Sequence, residues 1–456
     1  MMNKFVHFIK DFLFKKWFLY VVLLLWLIFQ VCLVYFGAYS DLISDPGFYV
    51  YYATECVKNG TMYPDYSNYY DEYIFNPGYV NFLIVWIKLF GTVKFVPYFN
   101  VFLNIVIVYL IYVICKNLTE KRIAYLAIFL FILLPSYSTI VLHLYSEQLF
   151  VVFLLLAIVP FVKEYNKHIF FSLSGVSIAI AQWIRPLSLA WQLPCILFLL
   201  YKKEYKKLLV YISFYAITCF IIGAATHTNF PDYLYKAKTG GVNMIMGAND
   251  MADGKYNGAV RRDKNGLGYL DDVIDESRVT NVKYWVEDTV YVKRRNSRYT
   301  YSQYDSIYVH RSFEWIKNNS IKWLKISFMK VYWTFSKVPS FFYSYGGNLN
   351  VPYKMYSVIY KYSSYIYIGV IIASFMSLVI NIRKQKFLFL IVFPLICYLF
   401  SIFLTCGASR YSLPCIPFLC ISASMLVYNF SIIKFKFVSK PCSSNLSQNS
   451  SAHLNG

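Results

Sequence analysis

Charge is scarce in this chain, and negative charge most of all. Only 15% of its 456 residues are Asp, Glu, Lys or Arg, and 23 acidic residues stand against 44 basic ones. Apart from residues at their ends, the long apolar runs contain none of this charge, which argues against an ion- or proton-coupled transporter, since such a protein needs an ionisable group near mid-membrane. Glycine-rich P-loop, HExxH and GxSxG patterns are all missing, and with them the signatures of nucleotide hydrolysis, zinc proteolysis and hydrolase-type nucleophiles. Ten cysteines form no CxxC. Most lie in or at the ends of apolar runs (Cys32, Cys115, Cys195, Cys219, Cys397, Cys415, Cys420), where packing is their expected use. No repeat of fixed period marks a solenoid.

What the chain has is apolar surface. It is 58% hydrophobic and 21% aromatic, more than one soluble core can hide, and reads as an all-α polytopic membrane protein. The first span runs from Trp17 to Gly37 behind Lys4, Lys10, Lys15 and Lys16, with no small-residue cleavage site after it, so a retained anchor with a cytoplasmic N-terminus is expected. Further runs at 95–115, 123–142, 147–163, 169–185, 187–201, 207–226, 360–381, 387–405 and 411–433 bring the expected number of transmembrane helices to about ten. That number places every short basic cluster, from Lys116/Lys121/Arg122 through Lys202/Lys203/Lys206/Lys207 to Arg383/Lys384/Lys386, in the cytoplasm. The basic surplus then points to lipid phosphate rather than nucleic acid. Residues 1–440 read as one multi-span domain, with outer loops at 38–94 and, larger, at 227–359. The tail 441–456 reads as disordered and cytoplasmic.

Two stretches fit helices lying in the outer interface. "GYVNFLIVWIKLFG" (78–91) is short for a bilayer, and "SIKWLKISFMKVYWTFSKV" (320–338) gathers Lys322, Lys325, Lys330 and Lys337 on a polar arc of about 140°. The span ends bring acids and bases to the same outer face: Asp41 and Asp45 after the first span, Glu147, Arg185 and Arg410. Each has an ordinary alternative. Asp45 before Pro46-Gly47 suits a turn or helix cap, the arginines suit snorkelling to head groups, and the tyrosines of 49–73 suit interface anchoring. His143 and Glu147, four apart, could offer two ligands to a divalent metal, an incomplete set, so no cofactor is firmly assigned.

Asp45, Tyr49, Ala53 and Gly60 follow a D-x3-Y-x3-A-x6-G spacing that resembles the first outer loop of GT-C membrane glycosyltransferases, the superfamily of protein O-mannosyltransferases and lipid A aminoarabinose transferases. "NPGYVNFLIVWIKLFG" is similar to that family's interfacial helix, "SEQLFVVFLLL" to its acidic residue opening a span, "WIRP" and "SRYSLPCIP" to its Arg-Pro and Arg-Tyr-x-x-Pro elements, and "GGVNMIMGAND" to a stretch of its large loop. The chain departs from it at Asp45-Pro46, where many relatives have Asp followed by Glu or another small or acidic residue. The resemblance implies a sugar transferred, with inversion, from a polyprenyl-phosphate donor to a glycan, lipid or protein acceptor at the outer face of the plasma membrane, in cell-envelope or polysaccharide synthesis. Asp45 is then the expected general base, with Glu147 the second catalytic candidate. Arg185 and Arg410 are expected on the leaving phosphate with weaker help from Lys88, and Asp41, Tyr49, His143 and Tyr411 are expected around the substrate. An O-antigen-type polymerase and a lipid-linked oligosaccharide flippase are the alternatives.

Overall fold

The computed structural model describes residues 16–37, 45–62, 76–163, 165, 167–226, 240–256, 280–286, 289–295, 301–339 and 353–426. Asp41 and the 441–456 tail lie outside the described residues. In chain order, α1 (Lys16–Phe36) is followed by α2 (Asp45–Lys58), α3 (Pro77–Phe90), α4 (Val96–Leu118), α5 (Lys121–Leu133), α6 (Glu147–Lys163), α7 (Ile169–Ile184), α8 (Leu189–Tyr201), α9 (Tyr205–Thr226), α10 (Gly240–Gly247), α11 (Tyr301–Asn318), α12 (Ser320–Phe335), α13 (Tyr353–Asn381), α14 (Gln385–Leu404) and α15 over 416–426. An antiparallel hairpin, β1 (Thr280–Val286) with β2 (Thr289–Arg295), interrupts the helices.

Five of these helices, at Trp17–Phe36, Val96–Leu118, Tyr205–Ala225, Ser357–Asn381 and Gln385–Leu404, are long and apolar enough to cross a membrane. A rise of about 1.5 Å per residue gives each about 30 Å or more. Exposed Leu24, Leu25, Phe36, Phe220, Ile221, Phe375 and Val379 line their outer faces, as a lipid-facing surface requires. The expected spans at 147–163, 169–185 and 187–201 are helices of 17 residues or fewer, and α15 runs to the edge of the described residues.

The sequence predicts one span over 123–142; the structure breaks it. Pro135 has no N–H to give a helix and disfavours helical backbone at the residue before it, and Leu134 is extended at φ −85, ψ 124. The chain bends by 54° and continues as Pro135–Leu142. Buried amides hold this bent piece to α4. Asn104 Nδ2 donates to Tyr137 O at 2.6 Å, and Asn100 Nδ2 donates to Val141 O at 3.3 Å and His143 O at 3.0 Å. Gln148 Nε2 donates to Asn104 Oδ1 at 2.9 Å, which ties the first turn of α6 into the same set.

α3 starts at Pro77 and stops at Gly91, whose φ of 70 lets its N–H turn back to Ile87 O. Its 14 residues reach only about 21 Å, short of the thickness of a bilayer core. A Cβ on Gly78 would meet Trp183 Cδ1 at 2.5 Å and the Trp183 carbonyl carbon at 2.7 Å. The bare glycine therefore lets α3 lie against the end of α7. Two corrections follow elsewhere. The segment expected as the first outer loop, 38–94, contains a further helix, α2; Pro46 in its first turn and the acidic Asp45 at its N-terminus both favour it. The lysine arc over 320–338 is not uniformly solvated: Lys322, Lys325 and Lys337 are exposed, whereas Lys330 is buried and donates to Phe403 O at 2.8 Å.

Candidate functional site

Four separate segments bring one charged side chain each to the same end of the bundle. Asp45 opens α2 and Glu147 opens α6, directly after the bent Pro135–Leu142 piece. Arg185 caps α7 in extended backbone, φ −149 and ψ 128, because the following Pro186 excludes a further helical residue. Arg410 sits in the 3₁₀ turn Ser409–Cys415 that leads into α15.

The charges alternate along a chain of contacts. Asp45 Oδ2 lies 2.8 Å from Arg410 Nη1, Arg410 Nε pairs with Glu147 Oε1, and the same Glu147 oxygen lies 2.7 Å from Arg185 Nη1. Glu147 is 1% exposed and Arg185 11%, against 21% for Arg410 and 29% for Asp45. The cluster therefore opens to its surroundings on the Asp45–Arg410 side. A buried carboxylate needs this much compensation, because desolvation of an unpaired charge would exceed any packing gain. Glu147 Oε2 is buried without a hydrogen-bond partner, so the two guanidinium groups offset its charge through Oε1 alone.

Tyr145, Ser146 and Asn76, none of them among the expected site residues, complete the frame. The Tyr145 ring lies 3.8 Å from the Arg410 guanidinium carbon, a cation–π contact that fixes the plane of the guanidinium. Asn76, in left-handed backbone at φ 49 just before α3, donates to Tyr49 Oη at 2.6 Å and to Ser146 Oγ at 3.1 Å. Arg185 Nη1 also donates to Ser146 Oγ, at 3.4 Å. Their local signals were weak: a Tyr two residues before the acid, and an Asn before Pro-Gly.

The other candidates are placed differently. Tyr49, one helical turn after Asp45, is buried and stacks edge-on against Tyr79, so it supports the site from behind instead of offering a face to a sugar. Burial, helped by the charge of Asp45, pushes its phenol well above the usual range and keeps it protonated. Lys88 is not drawn in; it occupies the far end of α3, with its Nζ 3.6 Å from Met62 Sδ. His143 and Glu147 do not share a helix. His143 is extended (φ −114, ψ 145) and buried, with its ring 5.5 Å from Tyr145. Tyr411 accepts a hydrogen bond from Tyr398 Oη through its backbone carbonyl, anchoring the turn that carries Arg410.

Among the described residues no group of three or more His, Cys, Asp or Glu is gathered closely enough to hold a metal. The donor set explains this, since Asp45 and Glu147 are each turned to a guanidinium. The arrangement is instead suited to moving a proton at its exposed carboxylate while holding an anion at its arginines.

Residues 77–229 match the family model of dolichyl-phosphate-mannose-protein mannosyltransferases, a stretch that includes Glu147 and Arg185. No curated protein sequence matches the chain. Similar solved structures include the Archaeoglobus fulgidus oligosaccharyltransferase in the apo form, at 12% identity and a TM-score of 0.48, covering 93% of this chain and 52% of that one. The archaeal oligosaccharyltransferase AglB from Archaeoglobus fulgidus, in complex with an inhibitory peptide and a dolichol-phosphate, is similar at 11% identity and a TM-score of 0.44, covering 96% and 53%. The chain thus spans about half the length of these structures. Over residues 77–229, about a third of the chain, the protein is therefore similar to a family of membrane mannosyltransferases.

Proposed function

We propose that the protein is a membrane glycosyltransferase that uses a polyprenyl-phosphate sugar as donor and works where the lipid-borne phosphate meets water at the outer face of the membrane. The observation that carries the reading is the direct contact of Asp45 with Arg410 at the exposed side of an otherwise buried charge cluster. Asp45 takes the proton of an acceptor hydroxyl or amine as that group attacks the anomeric carbon. The bond from that carbon to the phosphate oxygen breaks with inversion, and polyprenyl phosphate leaves with the electron pair. Arg410 and Arg185 face the departing phosphate. Guanidinium suits this better than ammonium because it is weakly hydrated and binds phosphate through a fork of donors. Arg410 engages Nε and Nη1 with the two acids, so a phosphate oxygen competes with Asp45 for the same edge, and donor binding releases the base. Glu147 holds the two arginines in place.

Support for a lipid-phosphate donor comes from the matched family, described by its dolichyl-phosphate-mannose chemistry, and from an apolar bundle on which a polyprenyl tail can lie. The test is to incubate purified protein with a panel of polyprenyl-phosphate sugars and follow release of free polyprenyl phosphate. Release from at least one donor, dependent on Arg410, is expected. Inertness to every monophosphate donor, together with turnover of a diphosphate-linked oligosaccharide, would replace this reading by a polymerase.

A further inference from the structure

One buried cation stands apart from the cluster of Asp45, Glu147, Arg185 and Arg410. Lys330 of α12 is fully buried, and its Nζ donates to Phe403 O at 2.8 Å. Among the described residues no carboxylate pairs with it; Cys406 is the titratable side chain that faces it. A buried ammonium held by a carbonyl lowers stability, where an apolar side chain of similar length would not. What the lysine holds is the exit of α14.

Were that helix to continue, Phe403 O would accept from the amide four residues on, Gly407 N. Gly407 N is turned away and donates to Gly254 O at 2.9 Å, while Gly407 O accepts from Tyr256 N at 2.9 Å. The freed carbonyl is taken up by α12 instead, because Ser327 Oγ, at 3.1 Å, and Lys330 Nζ both donate to it. A positive charge also suits the carbonyl end of a helix. The far end of the same stretch rests on the Lys330 backbone. A Cβ on Gly407 would strike the Lys330 carbonyl oxygen and meet its Cα at 2.8 Å, and one on Gly247, the last residue of α10, would strike Thr405 O and meet Lys330 Nζ at 2.8 Å. Bare glycines thus let the chain from Phe403 to Gly407 close around one lysine. Arg410 follows in the Ser409–Cys415 turn, so its Cα lies within about 11 Å of Gly407.

We propose that Lys330 is a positioning residue for Arg410: its ammonium takes the place of the Gly407 amide at Phe403 O, ends α14 at Leu404, and so sets where the turn bearing Arg410 begins. With the lysine gone, Ser327 alone is left on that carbonyl, and its second lone pair is open to Gly407 N. Recovering that bond winds α14 on by a turn, breaks the bridge from Gly407 to Gly254 and Tyr256, and draws Arg410 away from Asp45 and Glu147. The consequence for sugar transfer rests on the proposed place of Arg410 at the donor phosphate; the placement of the turn does not.

The full chain is purified in detergent, and amide hydrogen exchange is followed by mass spectrometry over peptides containing Tyr256 and Tyr411, beside donor turnover. Lys330→Met is expected to melt no lower than wild type, because a buried charge is gone, yet both peptides should exchange roughly tenfold faster. On the donor of the polyprenyl-phosphate panel that wild type uses best, kcat should fall about tenfold with a smaller change in KM, the mark of an interaction stronger in the transition state. Lys330→Met/Ser327→Ala, which strips both donors from Phe403 O, should go further in the same direction. Wild-type exchange in both variants would overturn the proposal, and so would faster exchange with unaltered turnover. A wild type inert to every donor would instead strike the transfer reading, and the exchange measurement would then decide the placement of the turn by itself.

Discussion

The two ends of this bundle treat charge in opposite ways. At one end Asp45, Arg410, Glu147 and Arg185 neutralise one another, two acids against two bases, and the most buried of them touches both arginines. At the other, Lys202, Arg383, Lys384 and Lys386 line one cleft with no acid among its described lining residues. A self-neutralised cluster can be buried and held rigid before any substrate arrives.

The most damaging way to break this contrast is to remove an acid from the paired end. Asp45→Asn keeps size and helix-start preference, and Asp45 is 29% exposed, so the melt should match wild type while sugar transfer falls by roughly 10²–10⁴-fold, the contribution of a positioned general base. Glu147→Gln should lower both, because it leaves two guanidinium groups facing an uncharged amide. Losing one member of such a buried pair costs about 3–5 kcal/mol, to be read from denaturant unfolding beside the transfer assay. Full transfer by Asp45→Asn, with loss in a folded Glu147→Gln, would move the base to Glu147.

A smaller effect is expected from Arg185→Lys and Arg410→Lys. The charge stays, the fork of donors goes, and kcat/KM for the donor should fall by about ten- to a hundredfold. Wild-type kinetics across donor concentrations in both variants would reduce these arginines to fillers of the cluster.

Lys330 sharpens the comparison with the gentlest change, since it is a buried cation whose acceptor is a backbone carbonyl rather than a carboxylate. Burial holds its ammonium at about 8, against an ordinary 10.5. Between those values the unfolded chain keeps a proton that the folded chain has released, so stability should rise with pH from about 8 to 10.5 and be at its penalised level below 8. Lys330→Met should abolish that slope and, at pH 7, stabilise the protein by about 2–3 kcal/mol. Unfolding curves at pH 7 and pH 10 check this, and an equal slope in both proteins would show that the carbonyl suffices to carry the charge.

Much of the helical plan was legible from the sequence. The positions of α1, α4, α9 and α14 follow from long uncharged runs, and the limits of α3 from Pro77 and Gly91. The break at Pro135 was not read from the run over 123–142, and the direction of the 54° bend needed the amides of Asn100 and Asn104 to fix it. α2 was hidden because its tyrosines and cysteine gave no clean apolar face. Lys330 looked solvated because helical spacing reports which residues share a face and not what covers that face.

By itself, then, the sequence determined that the chain is helical and apolar, and that Asp45, Glu147, Arg185 and Arg410 fall at the ends of apolar runs, because periodicity and solvation are local properties of the chain. Only the tertiary structure decided which charge meets which. Asp45 and Arg410 are 365 positions apart, and Glu147 reaches both arginines because a proline bends one helix and a missing Cβ at Gly78 lets another lie against Trp183. Ion pairing falls steeply with distance and depends on local burial, so it is settled by packing that no stretch of sequence contains.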